Sequence, residues 1–161
     1  MGIYLLLKHK VISPLVRITK ADKIVEPLPF RMFELRLAAF FGNPTSERII
    51  EHPWTIKWLE KEPEGKILDI GCGDEALLTT YLISKGYDAY GIDLLDTERL
   101  AKDRFYKRDV TKTGIDSETF STILLVSTLE HIGSKDEDFR TMEESYRLLK
   151  KEGLILLSSP F

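Results

Sequence analysis

The chain has 161 residues, 43% of them hydrophobic and 30% charged, a balance that suits one globular domain with a sizeable core and excludes a disordered or fibrous chain. Its one cysteine, Cys72, rules out an internal disulfide, so nothing demands an oxidising compartment and a cytoplasmic location is the expectation. The net charge of -3 is uneven: residues 1–43 hold seven Lys or Arg against three acids, a net +4, which leaves -7 for residues 44–161.

The opening MGIYLLLKHKVISPLV has too short an apolar run for a membrane span, which needs about 20 residues. It lacks the basic region and cleavage site of a signal peptide, and Leu6 stands where myristoylation wants Ser or Thr, so no targeting signal is legible. Residues 1–27 read as short strands or turns broken by Pro14 and Pro27. FRMFELRLAAFFG then predicts an amphipathic helix with Phe30, Phe33, Leu37, Phe40 and Phe41 near one stripe, ended by Gly42. Residues 1–43 thus form a basic, aromatic N-terminal helical appendage. It suits packing on its own domain, and its charge also fits a peripheral membrane or an acidic protein surface.

The boundary with a second unit, residues 44–161, is placed near 42–45, where the pattern changes. NPTSERIIEHPWTIKWLEKEPEG predicts a helix capped by Thr45 or Ser46, with Ile50, Trp54 and Trp58 at helical spacing and a kink at Pro53. From residue 66 strands and helices alternate: strand KILDI, helix 75–85, strand YDAYGID, a helical or loop piece at 97–102, strand FYKRDV, strand FSTILLVST, helix 136–150 with Phe139, Met142, Tyr146 and Leu149 on one face, and strand GLILLSS. Apolar strands alternating with helices predict an α/β fold, a Rossmann-like three-layer sandwich around a mainly parallel sheet of about five strands.

Ligands of such sheets sit beyond the C-terminal strand ends, where this chain has Asp69 with Gly71 and Gly73, then Asp93, Asp109, Ser127 to His131, and Ser158. Gly71, Gly73 and Ala76 fit the dinucleotide pattern G-x-G-x-x-G/A, with Asp93 about 20 residues further on for a ribose. A pyrophosphate there would face Asp69, Asp74 and Glu75, a repulsion of several kcal/mol at an effective dielectric of roughly 20. An adenosyl ligand with cationic groups and no phosphate turns the same acids into an attraction.

From residue 66 to 161 the sequence resembles the class I S-adenosylmethionine-dependent methyltransferases. LDIGCGD resembles their first motif, YGIDL the second-strand motif and KRDV the third, and FSTILLVSTLEHIG with SYRLLKKEGLILLSSP follows in order at the usual spacing. The resemblance implies S-adenosyl-L-methionine as cofactor, held by Asp69, Gly71, Cys72, Gly73, Asp93, Leu94, Asp109, Val110 and Ser127. Within that set Asp69 serves the methionine end, Asp93 the ribose hydroxyls, and Asp109 with Val110 the adenine. The family's third glycine falls at Glu75, which is expected to point away from the cofactor as a first-turn residue.

Glu130 and His131, after the fourth strand of the alternation, are the candidates for catalytic acid–base work, against a plain loop-capping role. A metal-binding E-x-x-E-H pattern would need an acid at Ser127, so no metal is expected. His52 and Trp54, just ahead of the first motif, rank second as site residues. The expected acceptor is a small molecule or glycan, and the acidity of residues 66–161 makes nucleic acid an unlikely partner. The family core continues past the fifth strand, whereas this sequence stops there. The apolar edge strand at 153–159 is then protected in a homodimer, by residues 1–43, or by chain beyond Phe161. Two other readings stay open: a non-catalytic cofactor-binding or interaction module, and an NAD-dependent oxidoreductase or epimerase.

Overall fold

Five short, apolar segments form the centre of the molecule: β3 (Ile67–Ile70), β4 (Ala89–Asp93), β5 (Phe105–Lys107), β6 (Phe120–Val126) and β7 (Leu149–Ser159). The computed structural model describes residues 3–8, 17–20, 48–60 and 65–159. The five strands pair in parallel in the order β7-β6-β3-β4-β5, as the alternation of strand and helix predicts. The chain starts this set at β3, in the middle, runs outward to β5, and returns to lay β6 against the other side of β3. The crossover direction therefore reverses between β3 and β6, and the strand ends diverge there into a crevice.

Alternation along the strands sends side chains to two cores. On one face Leu124, Leu154 and Leu156 pack with Trp54, Ile56 and Leu59 of α1 (Arg48–Leu59) and with Leu78, Tyr81 and Leu82 of α2 (Leu77–Ser84). On the other face Ile123, Leu125, Ile155 and Leu157 pack with Leu148 of α3 (Lys135–Leu148). Leu68, Ile92, Phe120, Ile123 and Leu124 are fully buried, each contributing about 2 kcal/mol of transfer free energy. Both sheet faces are thus covered in the centre, which is why these strands carry no polar alternation.

Two more strands extend the sheet. β1 (Ile3–Lys8) pairs antiparallel with β7, from Ile3 opposite Ser159 to Lys8 opposite Leu154, and β2 (Arg17–Lys20) pairs antiparallel with β1. Of the three ways expected to protect the apolar edge of β7, the chain's own N-terminal residues are the one seen. The sheet therefore crosses the boundary expected at 42–45. The predicted amphipathic helix at 30–41 and the Thr45 or Ser46 cap lie outside the described residues.

Local corrections have physical causes. α2 begins at Leu77, not at 75, because Ala76 sits in the left-handed region at φ 42° and turns the chain into the helix. Asp74 and Glu75 therefore belong to the preceding turn. α1 continues past Pro53. α3 starts at the Ser134 cap, whose hydroxyl accepts from the Glu137 amide, and ends at Leu148 because Leu149 already pairs with Phe120. Its buried face is Thr141, Ser145 and Leu148, two small residues and one large apolar one. Phe139 and Tyr146, placed with Met142 and Leu149 on one apolar face by spacing alone, are 71% and 62% exposed. The piece expected at 97–102 forms a short 3-10 turn at Lys102–Arg104. Among the described residues no helix is long and apolar enough to cross a membrane.

Candidate functional site

The loop from β3 to α2 owes its shape to residues 71–76. Gly71 and Gly73 have φ of 72° and 71°, a region that costs an L side chain roughly 1–2 kcal/mol. A Cβ on Gly71 would lie 2.5 Å from Thr128 Cγ2, so the loop after β3 sits tight against the end of β6. A Cβ on Gly73 would meet nothing within 4 Å, so bare backbone faces open space there.

Four amides of this loop, those of Gly71, Cys72, Gly73 and Glu75, are spent within the protein. Gly71 N donates to Ile92 O at 2.9 Å, Gly73 N to Asp93 Oδ2 at 2.8 Å, and Glu75 N to Asp74 Oδ1 at 3.0 Å. A pyrophosphate cradle needs such amides aimed at the ligand. Asp93 Oδ1 also accepts from Leu95 N at 2.8 Å. A carboxylate has about four acceptor positions, so Asp93 keeps two for hydroxyl donors while its backbone contacts fix its direction.

Asp69 lies in β3, level with Gly91 of β4 and Leu124 of β6, and is 4% exposed. Its Oδ2 accepts from Thr79 Oγ1 of α2 at 2.6 Å. Burial pushes its pKa up to about 7, and the nearby charge of Asp93 adds to this, while Thr79 and Arg48 oppose it. Cys72 packs toward Gly91, and burial together with Asp69 and Asp93 pushes its thiol well above the usual range, which excludes it as a nucleophile at neutral pH.

The crevice at the reversal point is lined by Arg48 and His52 of α1, by Asp69, Gly71 and Cys72, and by the apolar Leu77, Leu78 and Val126. His52 is buried, and burial, aided by the Arg48 charge, lowers its pKa to about 3, so its ring is neutral at physiological pH. Trp54, the other second-rank candidate, belongs to the core beneath α1, where its ring meets Trp58 at 6.3 Å.

At the end of β6 Ser127 takes φ 47°, a strained conformation for a non-glycine residue. Its hydroxyl donates toward the buried Glu51 carboxylate of α1, with Oε1 and Oε2 both at 2.8 Å, and its amide donates to Ser158 O at 3.1 Å. Thr128 Oγ1 donates to Ile70 O at 2.8 Å and ties this end back to β3. Glu51 and Arg48 are absent from the sequence-based site, since a helix residue far away in sequence carries no motif; Thr79, only 10 residues from Asp69, is absent too. The only signal for Glu51 was its place beside His52 in ERIIEHPW.

The structure brings Asp69, Gly71, Cys72, Gly73 and Asp93 together, with Ser127 joined through Thr128 and Gly71. Leu94 follows Asp93 and is 68% exposed. Asp109 lies two residues past β5 in an exposed turn where its Oδ1 accepts from both Thr111 N and Thr111 Oγ1 at 2.8 Å, and these bonds hold its pKa below the usual range. Val110 packs against the core beneath α3. Glu130 and His131 belong to an exposed part of the 3-10 turn after β6. Glu75 points to Arg99, with Oε2 2.9 Å from Nη2, in an exposed pair of little energetic weight.

A parallel sheet reversing at its first strand, with a glycine turn and an acid at the end of the second strand, defines the class of Rossmann-like cofactor-binding domains. Residues 68–157 match the family described as "Methyltransferase domain", and the chain belongs to that family. Among curated proteins it is 30% identical over 115 residues to YqeM of Bacillus subtilis (strain 168), named as a candidate methyltransferase, covering 64% of this chain. The chain spans about half the length of that relative, 46%. Among solved structures it resembles PH0226 of Pyrococcus horikoshii OT3 (20% identity, 81% of this chain and 60% of that one, TM-score 0.59). It also resembles the Burkholderia thailandensis 1,6-didemethyltoxoflavin-N1-methyltransferase with bound 1,6-didemethyltoxoflavin and S-adenosylhomocysteine (16%, 92% and 70%, TM-score 0.56). At these identities the likeness is one of fold.

Proposed function

We propose that this chain binds S-adenosylmethionine and serves as, or within, a methyltransferase acting on a small-molecule or glycan acceptor. The observation that carries this reading is the pair of strand-end acids, Asp69 lining the crevice and Asp93 bound to Gly73 N of the same loop, with the amides of Gly71, Cys72 and Gly73 turned inward to Ile92 and Asp93 and so withheld from a phosphate. The same features disfavour the NAD-dependent alternative. The residues fit an adenosyl ligand with a charged amino-acid end: open space above Gly73 admits close approach, Asp93 has acceptor positions left for ribose hydroxyls, and Asp69 can counter an ammonium.

Bound S-adenosylmethionine would supply a methyl group activated on a sulfonium. The chain's own part is to hold and orient: Asp93, fixed by Gly73 N and Leu95 N, sets the ribose; Asp69, fixed by Thr79, sets the charge at the amino-acid end; Asp109 and Val110 are assigned to the adenine, Leu94 and Ser127 to the crevice rim. In-line displacement gains chiefly from such positioning. The small-molecule acceptor draws support from the Burkholderia neighbour in fold, whose acceptor is a small heterocycle. Cytoplasmic location is proposed with it.

The second reading, a cofactor-binding module without transfer activity, is favoured by one observation: Glu130 and His131, the acid–base candidates, are exposed to solvent. Incubation with methyl-labelled S-adenosylmethionine and pools of small-molecule and glycan acceptors separates the two. Label transferred to an acceptor supports the enzyme; tight binding with no transfer supports the module.

A further inference from the structure

The acid at the end of β4 is held from two sides. Asp93 Oδ2 accepts from the amide of Gly73, in the loop after β3, and Oδ1 accepts from the amide of Leu95, in the loop after β4, both at 2.8 Å. One carboxylate thus spans the seam between two loops. A second bridge crosses the same seam four residues further on, where Thr97 Oγ1 donates to Asp74 O at 2.5 Å and accepts from Arg99 N at 3.1 Å. A hydroxyl has a single proton, and this one is committed to the facing loop. The third link, Arg99 to Glu75, joins two exposed side chains and carries little weight.

We infer that Thr97 is a positioning residue for ribose recognition: by pinning the loop after β4 to the loop after β3, it keeps both amides on Asp93 and so keeps the carboxylate's remaining acceptor positions aimed at the ribose hydroxyls. This rests on the adenosyl reading above. The tolerance is small, since a relative shift of the loops by about 0.5 Å takes a bond of 2.8 Å beyond the usual range. With one amide lost, the carboxylate turns about a terminal torsion that has no sharp preference of its own. The effect is confined to the ribose because Asp69, assigned to the amino-acid end, is fixed separately by Thr79 of α2.

The test compares S-adenosylhomocysteine with its 2′,3′-dideoxy analogue by calorimetry on the full chain. Wild type should prefer the intact ribose about 100-fold, the scale of charge-assisted bonds to two hydroxyls. Thr97→Val, which keeps the shape and removes the hydroxyl, should cut that preference about 5- to 10-fold through weaker binding of S-adenosylhomocysteine, with the dideoxy ligand changed less than about twofold. Thr97→Ser keeps the hydroxyl and should retain the preference within about twofold, as should Arg99→Ala; Thr97→Ala repeats the test should valine disturb the fold. Thr97→Val that weakens both ligands equally, or that binds both as wild type does, overturns the inference, as does a loss in Thr97→Ser or Arg99→Ala as large as in Thr97→Val. Wild type that binds both ligands equally refutes the role given to Asp93 and the inference with it, and wild type that binds neither refutes the adenosyl reading itself.

Discussion

At the β3–β4 end of the crevice the polar contacts are local: Thr79 reaches Asp69 across 10 residues and Gly73 reaches Asp93 across 20. At the β6 end Ser127 is held by Glu51, 76 residues away, Thr128 by Ile70, 58 residues away, and Glu130 and His131 stay exposed. One end is thus assembled by a strand, a turn and a helix that must fold together anyway. The other depends on α1 docking across the sheet. The lesson is that the polar contacts of one end are built into the local fold, while those of the other depend on elements far apart in sequence.

The contrast can be broken most forcefully at Asp93. Asp93→Ala removes two charge-assisted bonds to the loop and the ligand's hydroxyl partner, and should weaken S-adenosylhomocysteine binding about 100-fold by calorimetry. Next comes the loop backbone. Gly71→Ala combines a left-handed φ with a clash on Thr128 and should cost about 2–3 kcal/mol, a Tm lower by roughly 6 °C, whereas Gly73→Ala, facing open space, should cost about half as much and act mainly on cofactor affinity.

Asp69 sharpens the comparison through pH. Its folded pKa of about 7 lies above the unfolded value of 3.8, so between those values the folded protein keeps a proton that the unfolded chain has lost. The stability contribution is complete below about pH 4 and is lost as pH rises through 7. A thermal melt series without ligand should show that decline, and Asp69→Asn should flatten it. At the other end, Glu51→Ala leaves the Ser127 hydroxyl without its acceptor and should destabilise by about 1–2 kcal/mol while leaving cofactor affinity within a few-fold. The smallest effect belongs to Glu130→Ala and His131→Ala, which should shift stability by less than about 0.5 kcal/mol and leave S-adenosylhomocysteine affinity unchanged.

The same division explains what the sequence made legible. The apolar runs at 67–70, 89–93 and 120–126 gave the parallel strands because a strand buried on both faces has no polar residue to spare. LDIGCGD and YGID located Asp69 and Asp93 because turn chemistry and strand ends are local. Period alone misread α3: Phe139 and Tyr146 share a stripe, yet the residues turned inward are Thr141, Ser145 and Leu148. The pairing of β1 with β7 and the Glu51–Ser127 contact were illegible, since each joins residues far apart in sequence whose meeting depends on tertiary packing.

The central claim is that the acids of the crevice select a cationic adenosyl ligand and reject a pyrophosphate. Calorimetric titration of S-adenosylmethionine and NAD between pH 5.5 and 7.5 tests it. The account predicts S-adenosylmethionine binding that tightens as pH rises and Asp69 ionises, with NAD at least about 100-fold weaker throughout. NAD binding as tight as S-adenosylmethionine, or S-adenosylmethionine binding that weakens as pH rises, would contradict it.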